Sequence, residues 1–429
     1  MIAEILLLVI SFLILLSIGV PVAWSIGISC LLTLAVSIDS LAAFTTMAQR
    51  MATGLDSFSL LAIPFFILAG QIMNQGGIAH RLINFAKALI GSMPGGLIYV
   101  NVIAAMLFGA ISGSAVAAAS AIGGILGPPM EKEKYSKEFG AAINVSASTT
   151  GLIIPPSNVL IVYSLASGGV SIASLFLAGY IPGILMGLAL MLVAAVWIKK
   201  KKYPPGEKTS AKKIATTFLD ALPSLLLLVV VIGGIVSGIF TATEASGIAV
   251  LYTLILAIIY REINLNKLHK IFLSSVVTTS IVLLLIATSM GMSWVMSFEN
   301  IPQTVSDALL GLSDNKYVIL IIINLLLLFV GTFMDMTPAI LIFTPIFLPI
   351  MKSLGVDPVH FGMIMVMNLC VGLCTPPVGS VLFIGVGVAK TTIQKVMKPL
   401  LPLYIAMAII LLLVTYLPQI SLWLPSLFE

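Results

Sequence analysis

Small and polar residues interrupt an apolar stretch in the first half of the chain. The segment Phe108–Ser120, FGAISGSAVAAAS, surrounds Ser112, Gly113 and Ser114 with small side chains. A tight bend in the middle of a membrane needs small residues for close packing, and its freed carbonyls and hydroxyls become ligands for a cation or a polar substrate. An ordinary helix interface rich in small residues is the alternative interpretation.

A double proline divides the second polar segment. Asn144–Asn158, NVSASTTGLIIPPSN, has hydroxyl and amide side chains on both sides of Pro155 and Pro156. The prolines remove two amide donors and disfavour helical geometry before them, so carbonyls about one turn earlier lose their partners. At membrane depth such groups must line a cavity or an ion site. We therefore expect a broken helix, with a simple kink as the alternative, and Asn368–Ser380, NLCVGLCTPPVGS, repeats the pattern.

One carboxylate stands alone in the second half. Asp335, within GTFMDMTP, is the only acidic residue between Asp314 and Asp357. A carboxylate at membrane depth is a functional candidate by default, as a sodium ligand, a proton carrier or a partner for substrate. A structural hydrogen bond to neighbouring backbone amides is the alternative. Hard oxygen ligands favour sodium, and the scattered cysteines and histidines predict neither a transition-metal site nor an organic cofactor.

The composition predicts a membrane protein. Of 429 residues, 60% are hydrophobic and 9% are charged, whereas soluble domains have about 25% charged residues. Apolar runs of spanning length recur along the chain, without the alternation of barrel strands, and predict an all-α polytopic fold. No G-x-x-x-x-G-K-[ST] motif occurs, so energy must come from a gradient or from another chain. The basic residues lie in short loops, which indicates membrane orientation and not nucleic-acid binding.

The same basic residues predict the topology. With the N-terminus outside, all of the 21 basic residues except Arg50, Lys316 and Lys352 face the cytoplasm, as the positive-inside rule requires. This holds only if two segments are re-entrant hairpins. The expected elements are spans at 2–20, 22–38 and 57–76, an amphipathic helix at 41–55, and hairpins at 96–128 and 317–350.

The chain also has an internal repeat. A shift of 221 positions places Pro128 on Pro349, the Pro155–Pro156 pair on Pro376–Pro377, and Ser114 on Asp335. Because the hairpins open to opposite sides, the repeats are inverted, which is typical of transporters. The expected units are N-terminal scaffold and arm helices (1–95), a first hairpin and broken helix (96–170), second scaffold helices with a lysine-rich loop at 199–213 (171–316), a second hairpin and broken helix (317–390), and a C-terminal helix (391–429).

The paired segments FGAISGSAVA, STTGLIIPPSN, GTFMDMTPAI and CTPPVGSVLF resemble the large M subunit of tripartite ATP-independent periplasmic (TRAP) transporters along the whole chain. This resemblance implies an elevator-type sodium symporter of the bacterial inner membrane that imports a small organic carboxylate. It implies two partners besides lipid, a small four-helix membrane subunit of the Q type and a periplasmic substrate-binding protein of the P type. The segment PPSNVLIVYSLASGG is similar to that of the sialic-acid branch of the family. Other members carry C4-dicarboxylates.

The resemblance also implies binding residues. A first sodium site would use Ser112, Gly113, Ser114, Thr150 and Gly151. A second would use Asp335, Thr337, Gly372 and Thr375. Substrate would lie near Ser114, Ser157, Asn158 and Asp335.

Two other functions are compatible with the sequence. A stand-alone sodium/anion symporter of the divalent-anion type needs no soluble partner, and a passive channel would give a flux independent of sodium. An enzyme is not expected, because no nucleophile, base and orienting group lie within reach of one another in the sequence.

Overall fold

The computed structural model describes residues 2–201, 203, 205–206, 209–313 and 315–428. Lys202, Pro204 and Lys208 of the predicted lysine-rich loop, and Asp314, lie outside the described residues. The helices in chain order are α1 (Ile2–Ser17), α2 (Val22–Ser37), α3 (Ser40–Leu55), α4 (Ala62–Gln75), α5 (Ile78–Ile90), α6 (Gly96–Ser112), α7 (Ala115–Lys132), α8 (Lys137–Ser148), α9 (Thr150–Ile153), α10 (Asn158–Ala166), α11 (Ile172–Lys201), α12 (Ala211–Val236), α13 (Ala242–Ile259), α14 (Leu265–Phe298), α15 (Ile301–Leu310), α16 (Lys316–Phe333), α17 (Met336–Ser353), α18 (Pro358–Gly372), α19 (Ser380–Val388), α20 (Ile393–Tyr416) and α21 (Gln419–Leu422).

The described residues form helices, two short 3-10 turns and no strand that pairs beyond an isolated bridge. Eight helices among them are long and apolar enough to span a membrane, and α8–α9 with α10 form a further span that bends by 51° at the double proline. The first expected elements agree with α1, α2, α3 and the helical stretch Phe58–Gln75 to within a few residues. The prediction of an all-α polytopic fold is confirmed.

Each predicted hairpin consists of two helices that reverse direction at a short turn, α6 and α7 in the first and α16 and α17 in the second. In the second hairpin, α16 runs parallel to α18, because Asn324 bonds to Asn368 and Gly331 contacts Gly372 near the ends of both helices. In contrast, α17 is joined to α18 by a short loop and runs antiparallel to it. The two arms, α16 and α17, are therefore antiparallel to each other.

The first hairpin repeats this arrangement. Asn101 bonds to Asn144 and Gly109 contacts Gly151, so α6 runs parallel to the α8–α9 segment. The second arm, α7, returns against α8, where the Asn144 side chain donates to the Ala119 carbonyl. The helices α7 and α17 both have 18 residues and begin 221 positions apart, at Ala115 and Met336, so the repeat inferred from the prolines extends to whole elements.

The helices form two groups. The hairpin group consists of α6–α10 and α16–α19, with α11 and α20 packed against it, and α10 of one repeat packs on α17 of the other. The outer helices are α1–α4 and α12–α14, held together by contacts of α4 with α13 and of α14 with α2, α3 and α4. The short helices α5 and α15 each contact both groups, α5 through α6 and α12, and α15 through α17 and α14.

Candidate functional site

The tip of the first hairpin is a two-residue turn built from Gly113 and Ser114. Gly113 ends α6 with a φ of 60°, a left-handed conformation that glycine adopts without a steric penalty. Ser114 then caps α7, and its hydroxyl accepts a hydrogen bond from the Ala117 amide at 3.2 Å. The Asn158 side chain packs against this turn, since a Cβ on Gly113 would lie 3.1 Å from its amide nitrogen.

The tip of the second hairpin places a carboxylate in the corresponding position. Asp335 caps α17 and accepts a hydrogen bond from the Met336 amide at 3.0 Å. This bond fits the structural alternative considered for Asp335, but it uses only one of the carboxylate oxygens. Asp335 lines a cavity, so its other carboxylate oxygen is available to a ligand there.

Each hairpin tip is held close to a broken helix by contacts between glycines. A Cβ on Gly109 would lie 2.4 Å from the Gly151 Cα, and a Cβ on Gly372 would lie 2.5 Å from the Gly331 backbone. Because side-chain atoms cannot fit there, these glycines permit a backbone approach that fixes each tip against its break.

A cavity of about 530 Å³ lies between the two tips and the outer helices. Four helices begin at its wall: α7 at Ser114–Ala117, α10 at Asn158, α17 at Asp335–Thr337 and α19 at Ser380. A helix N-terminus carries about half a positive charge and unpaired amide donors. Among the described lining residues, Asp335 is the only one with a charged side chain. The cavity therefore combines positive backbone ends with a single carboxylate.

The cavity brings together six of the residues proposed for binding. Its lining includes Ser112, Gly113, Ser114, Asn158, Asp335 and Thr337. Residues of both repeats therefore line one cavity.

The other proposed residues lie behind the cavity wall. The hydroxyls of three of them donate to carbonyls of their own chain segment: Thr150 to Ala147 at 2.6 Å, Ser157 to Leu152 at 2.6 Å, and Thr375 to Val371 at 2.8 Å. The remaining two, Gly151 and Gly372, make the backbone contacts described above. These five residues do not line the cavity, and the three hydroxyls among them are bonded to carbonyls of their own segment.

Five further polar residues, none of them proposed for binding from the sequence, also line the cavity: Gln71, Asn74, Ser120, Thr278 and Ser380. The hydroxyl oxygen of Ser380, on the first turn of α19, is buried and has no hydrogen-bond partner among the described residues. Gln71 and Asn74 were detectable as amides in an otherwise apolar helix, but only the fold shows that they face the hairpins.

The polar groups at the cavity offer oxygen atoms, the kind of ligand that hard cations prefer. These groups are one carboxylate, hydroxyls such as those of Thr337 and Ser380, and backbone carbonyls at the breaks. Among the described residues, no group of three or more His, Cys, Asp or Glu side chains could hold a metal ion. The cavity therefore places one carboxylate, Asp335, opposite the positive ends of helices.

Comparisons with known proteins identify the family of the chain. The family model for the DctM component of the tripartite ATP-independent periplasmic transporter matches residues 9–420. The chain is 59% identical to the protein YgiK of Salmonella typhimurium, over 97% of this chain and 96% of that one. It is 38% identical to the C4-dicarboxylate TRAP transporter large permease protein DctM of Rhodobacter capsulatus, over 95% and 96% of the two chains. It is 40% identical to the sialic acid TRAP transporter large permease protein SiaM of Vibrio cholerae, over 89% of each.

A solved structure has a similar fold. The YdaH transporter of Alcanivorax borkumensis, which has an unusual topology, superposes with a TM-score of 0.66 over 90% of this chain and 89% of that one. The two sequences are 13% identical, so this similarity concerns the fold alone.

Proposed function

The chain belongs to the DctM family of large permeases of TRAP transporters, and on that basis we propose that it imports a small organic carboxylate with sodium as the coupling ion. As a member of this family it is a multi-pass protein of the bacterial inner membrane and a transporter subunit, not an enzyme. The specific substrate, the coupling ion and the movement are parts of the proposal.

The observation that carries this proposal is the meeting of four helix N-termini around one carboxylate. The N-termini attract an anion through their amide donors and partial positive charge. Asp335 alone would repel that anion, because two unit charges about 4 Å apart interact by about 4 kcal/mol at an effective dielectric constant near 20. A cation bound at Asp335 removes this repulsion. Binding of cation and anion is therefore favourable together, which is the physical basis of symport.

The family resemblance implies two sodium sites, one in each repeat. The first uses the Ser112–Ser114 tip with the break at Thr150 and Gly151. The second uses Asp335 and Thr337 with the break at Gly372 and Thr375. In each site the cation is held between a hairpin tip and a broken helix, so its binding stabilises the contact between them.

Transport requires the site to open to each side in turn. The division into a hairpin group and outer helices supports an elevator movement, in which the hairpin group carries the site past the outer helices. The short helices α5 and α15 contact both groups and would accommodate the displacement.

The partners and the cargo follow from the family. TRAP large permeases work with a small membrane subunit and a periplasmic substrate-binding protein, and we propose that this chain has both. Relatives named for a sialic acid and for C4-dicarboxylates are similarly close, so cargo of either type is proposed. A stand-alone sodium/anion symporter is the second candidate, favoured by the fact that both halves of the cavity come from this chain.

The test is uptake into proteoliposomes by wild type and Asp335→Asn. Asparagine caps a helix about as well as aspartate, so this change removes the charge and keeps the cap. Asp357→Asn is the matched control, because Asp357 caps α18 and does not line the cavity. We expect sodium-dependent uptake to be lost in the Asp335 variant and kept in the control.

Two further comparisons separate the candidates. Uptake that needs the binding protein supports the TRAP mechanism, and equal uptake without it supports the stand-alone symporter. Uptake that persists unchanged without sodium, or full activity of Asp335→Asn, would contradict the proposed coupling.

A further inference from the structure

One face of the outer helix α4 forms a wall of the 530 Å³ cavity. The residues on this wall are Ile63, Ile67, Gly70, Gln71 and Asn74. Their spacing of three or four residues, with one adjacent pair, is that of a single helix face. The face ends in two amide side chains near the C-terminus of α4, so the cavity has a polar wall outside the hairpin group.

This wall touches the first hairpin tip. A Cβ on Gly70 would lie 2.9 Å from the carbonyl oxygen of Ser112, so the α4 backbone and the tip are in direct contact. Gln71 is the next residue, and Asn74 lies one turn further along the same face. Both amides line the same cavity as the tip at which cargo is proposed to bind.

Neither side-chain amide is hydrogen-bonded within the described part of the protein. Gln71 and Asn74 are partly buried, and no side-chain hydrogen bond to another described residue is made by either. Each offers two donors and one acceptor oxygen. Thr278, the other polar outer-helix residue on the wall, donates its hydroxyl to the Ser274 carbonyl at 2.9 Å. Gln71 and Asn74 are thus the outer helices' free hydrogen-bonding groups at this cavity.

We propose that Gln71 and Asn74 bind the cargo directly, by donating amide hydrogens to its carboxylate or hydroxyl oxygens, and so form a half of the cargo site that does not move with the hairpins. This inference rests on the proposed function. The described lining has no lysine or arginine, so an anionic cargo must be bound by neutral donors. The side-chain amides supply such donors opposite the helix N-termini.

Gln71 and Asn74 lie on an outer helix and not on the hairpin group that is proposed to move. If the hairpin group moves relative to α4, its own contacts with cargo travel with it, whereas those of Gln71 and Asn74 are broken. Basic residues Arg81 and Lys87 follow α4 and place its C-terminus on the cytoplasmic side. The two amides therefore bind cargo in the inward-facing state and set its affinity there.

Cysteine protection tests the contact without requiring transport. The three native cysteines, Cys30, Cys370 and Cys374, are buried, so a cysteine introduced as Asn74→Cys can be alkylated selectively. N-acetylneuraminate and succinate serve as probes, each with sodium present. We expect at least one probe to slow alkylation of Asn74→Cys severalfold. Gln75→Cys is the control, because Gln75 is on the same helix but does not line the cavity, and neither probe should protect it.

Uptake kinetics test the energetic role. Gln71→Met keeps the length of the side chain and removes its hydrogen bonds, and Gln75→Met is its control. Loss of one neutral hydrogen bond corresponds to a two- to tenfold change in affinity, roughly. We expect Gln71→Met to raise the half-saturation for cargo, measured from the cytoplasmic side, by about that factor. The half-saturation for sodium, measured at saturating cargo, should be unchanged, because the coupling between the two ligands is kept.

The outcomes distinguish this inference from the proposed function. Absence of protection at Asn74→Cys by both probes, or unchanged cargo affinity in Gln71→Met, overturns the role of the two amides while sodium-driven uptake by wild type stands. Uptake by wild type that is independent of sodium overturns the proposed coupling, and protection of Asn74→Cys would still establish the contact with cargo.

Discussion

Replacing Gly109 by alanine should push the first hairpin away from its broken helix. The new Cβ would lie 2.4 Å from the Gly151 Cα, and ordinary contact begins at 3.4 Å, so the two backbones must separate by about 1 Å. No side chain can rotate to relieve the clash, because both partners are backbone. Overpacking of this kind destabilises by about 1–3 kcal/mol, and the gain from removing a helical glycine is about 0.5–1 kcal/mol. A net destabilisation of up to about 2.5 kcal/mol results.

Gly124→Ala provides the matched control on the same hairpin. A Cβ at Gly124 would meet nothing within 4 Å, so only the stabilising effect of alanine remains. Heat-induced unfolding of the purified protein in detergent should show a lower midpoint for Gly109→Ala and an unchanged or higher midpoint for Gly124→Ala. Sodium-dependent uptake should fall only in the first variant. Equal midpoints and equal uptake in the two variants would refute the argument that the glycine contact fixes the hairpin tip.

Two further predictions concern hydrogen bonds. Ser114→Ala should abolish sodium-dependent uptake while expression is retained, because it removes a helix cap and a hydroxyl that lines the cavity. Ser136→Ala is the control, since it removes the corresponding cap from α8 outside this cavity. If the Ser114 hydroxyl acts in binding, the control variant should keep full uptake. Asn368→Leu removes the donor to Asn324 at 2.5 Å and leaves that buried oxygen unpaired, which should lower the free energy of unfolding by about 1–3 kcal/mol. The double variant with Asn324→Leu should recover part of this loss in a denaturation experiment, and a strictly additive loss would contradict the assignment.

Features encoded by local sequence were predictable. The spans follow from apolar length, and the helix breaks follow from proline chemistry, so α1 to α4 and the bend between α9 and α10 appear where the residues indicate. The reversal at each hairpin could also be predicted from the distribution of basic residues, because this distribution follows the positive-inside rule only if both segments are re-entrant.

Side-chain direction was not predictable in the same way. The hydroxyls of Thr150, Ser157 and Thr375 donate to nearby carbonyls, an option open to any serine or threonine in or beside a helix. Their oxygens keep lone pairs that can still bind a cation, but they do not line the cavity. Residue type does not distinguish a hydroxyl that faces a cavity from one bonded to its own backbone. Gln71 and Asn74 show the converse, because they are separated from the hairpin tips in sequence and meet them only through the packing of α4.

The two hairpin tips differ in charge, and this difference bears on the proposed binding of a cation and an anion by a duplicated fold. Ser114 and Asp335 occupy equivalent positions, each capping an 18-residue helix and accepting a backbone amide hydrogen. Replacement of a neutral cap by a charged one leaves the helix geometry unchanged, since serine and aspartate cap about equally well. It does change the electrostatics, because the tip with the carboxylate attracts a cation more strongly than the serine tip does, while the N-termini of both repeats favour an anion. A symmetric pair of serines would lack the charge that makes anion binding depend on a cation, and a symmetric pair of aspartates would repel the anion twice. Under the proposed coupling, one carboxylate in two repeats therefore makes anion binding depend on the cation held at Asp335, while the anion meets only one negative side chain.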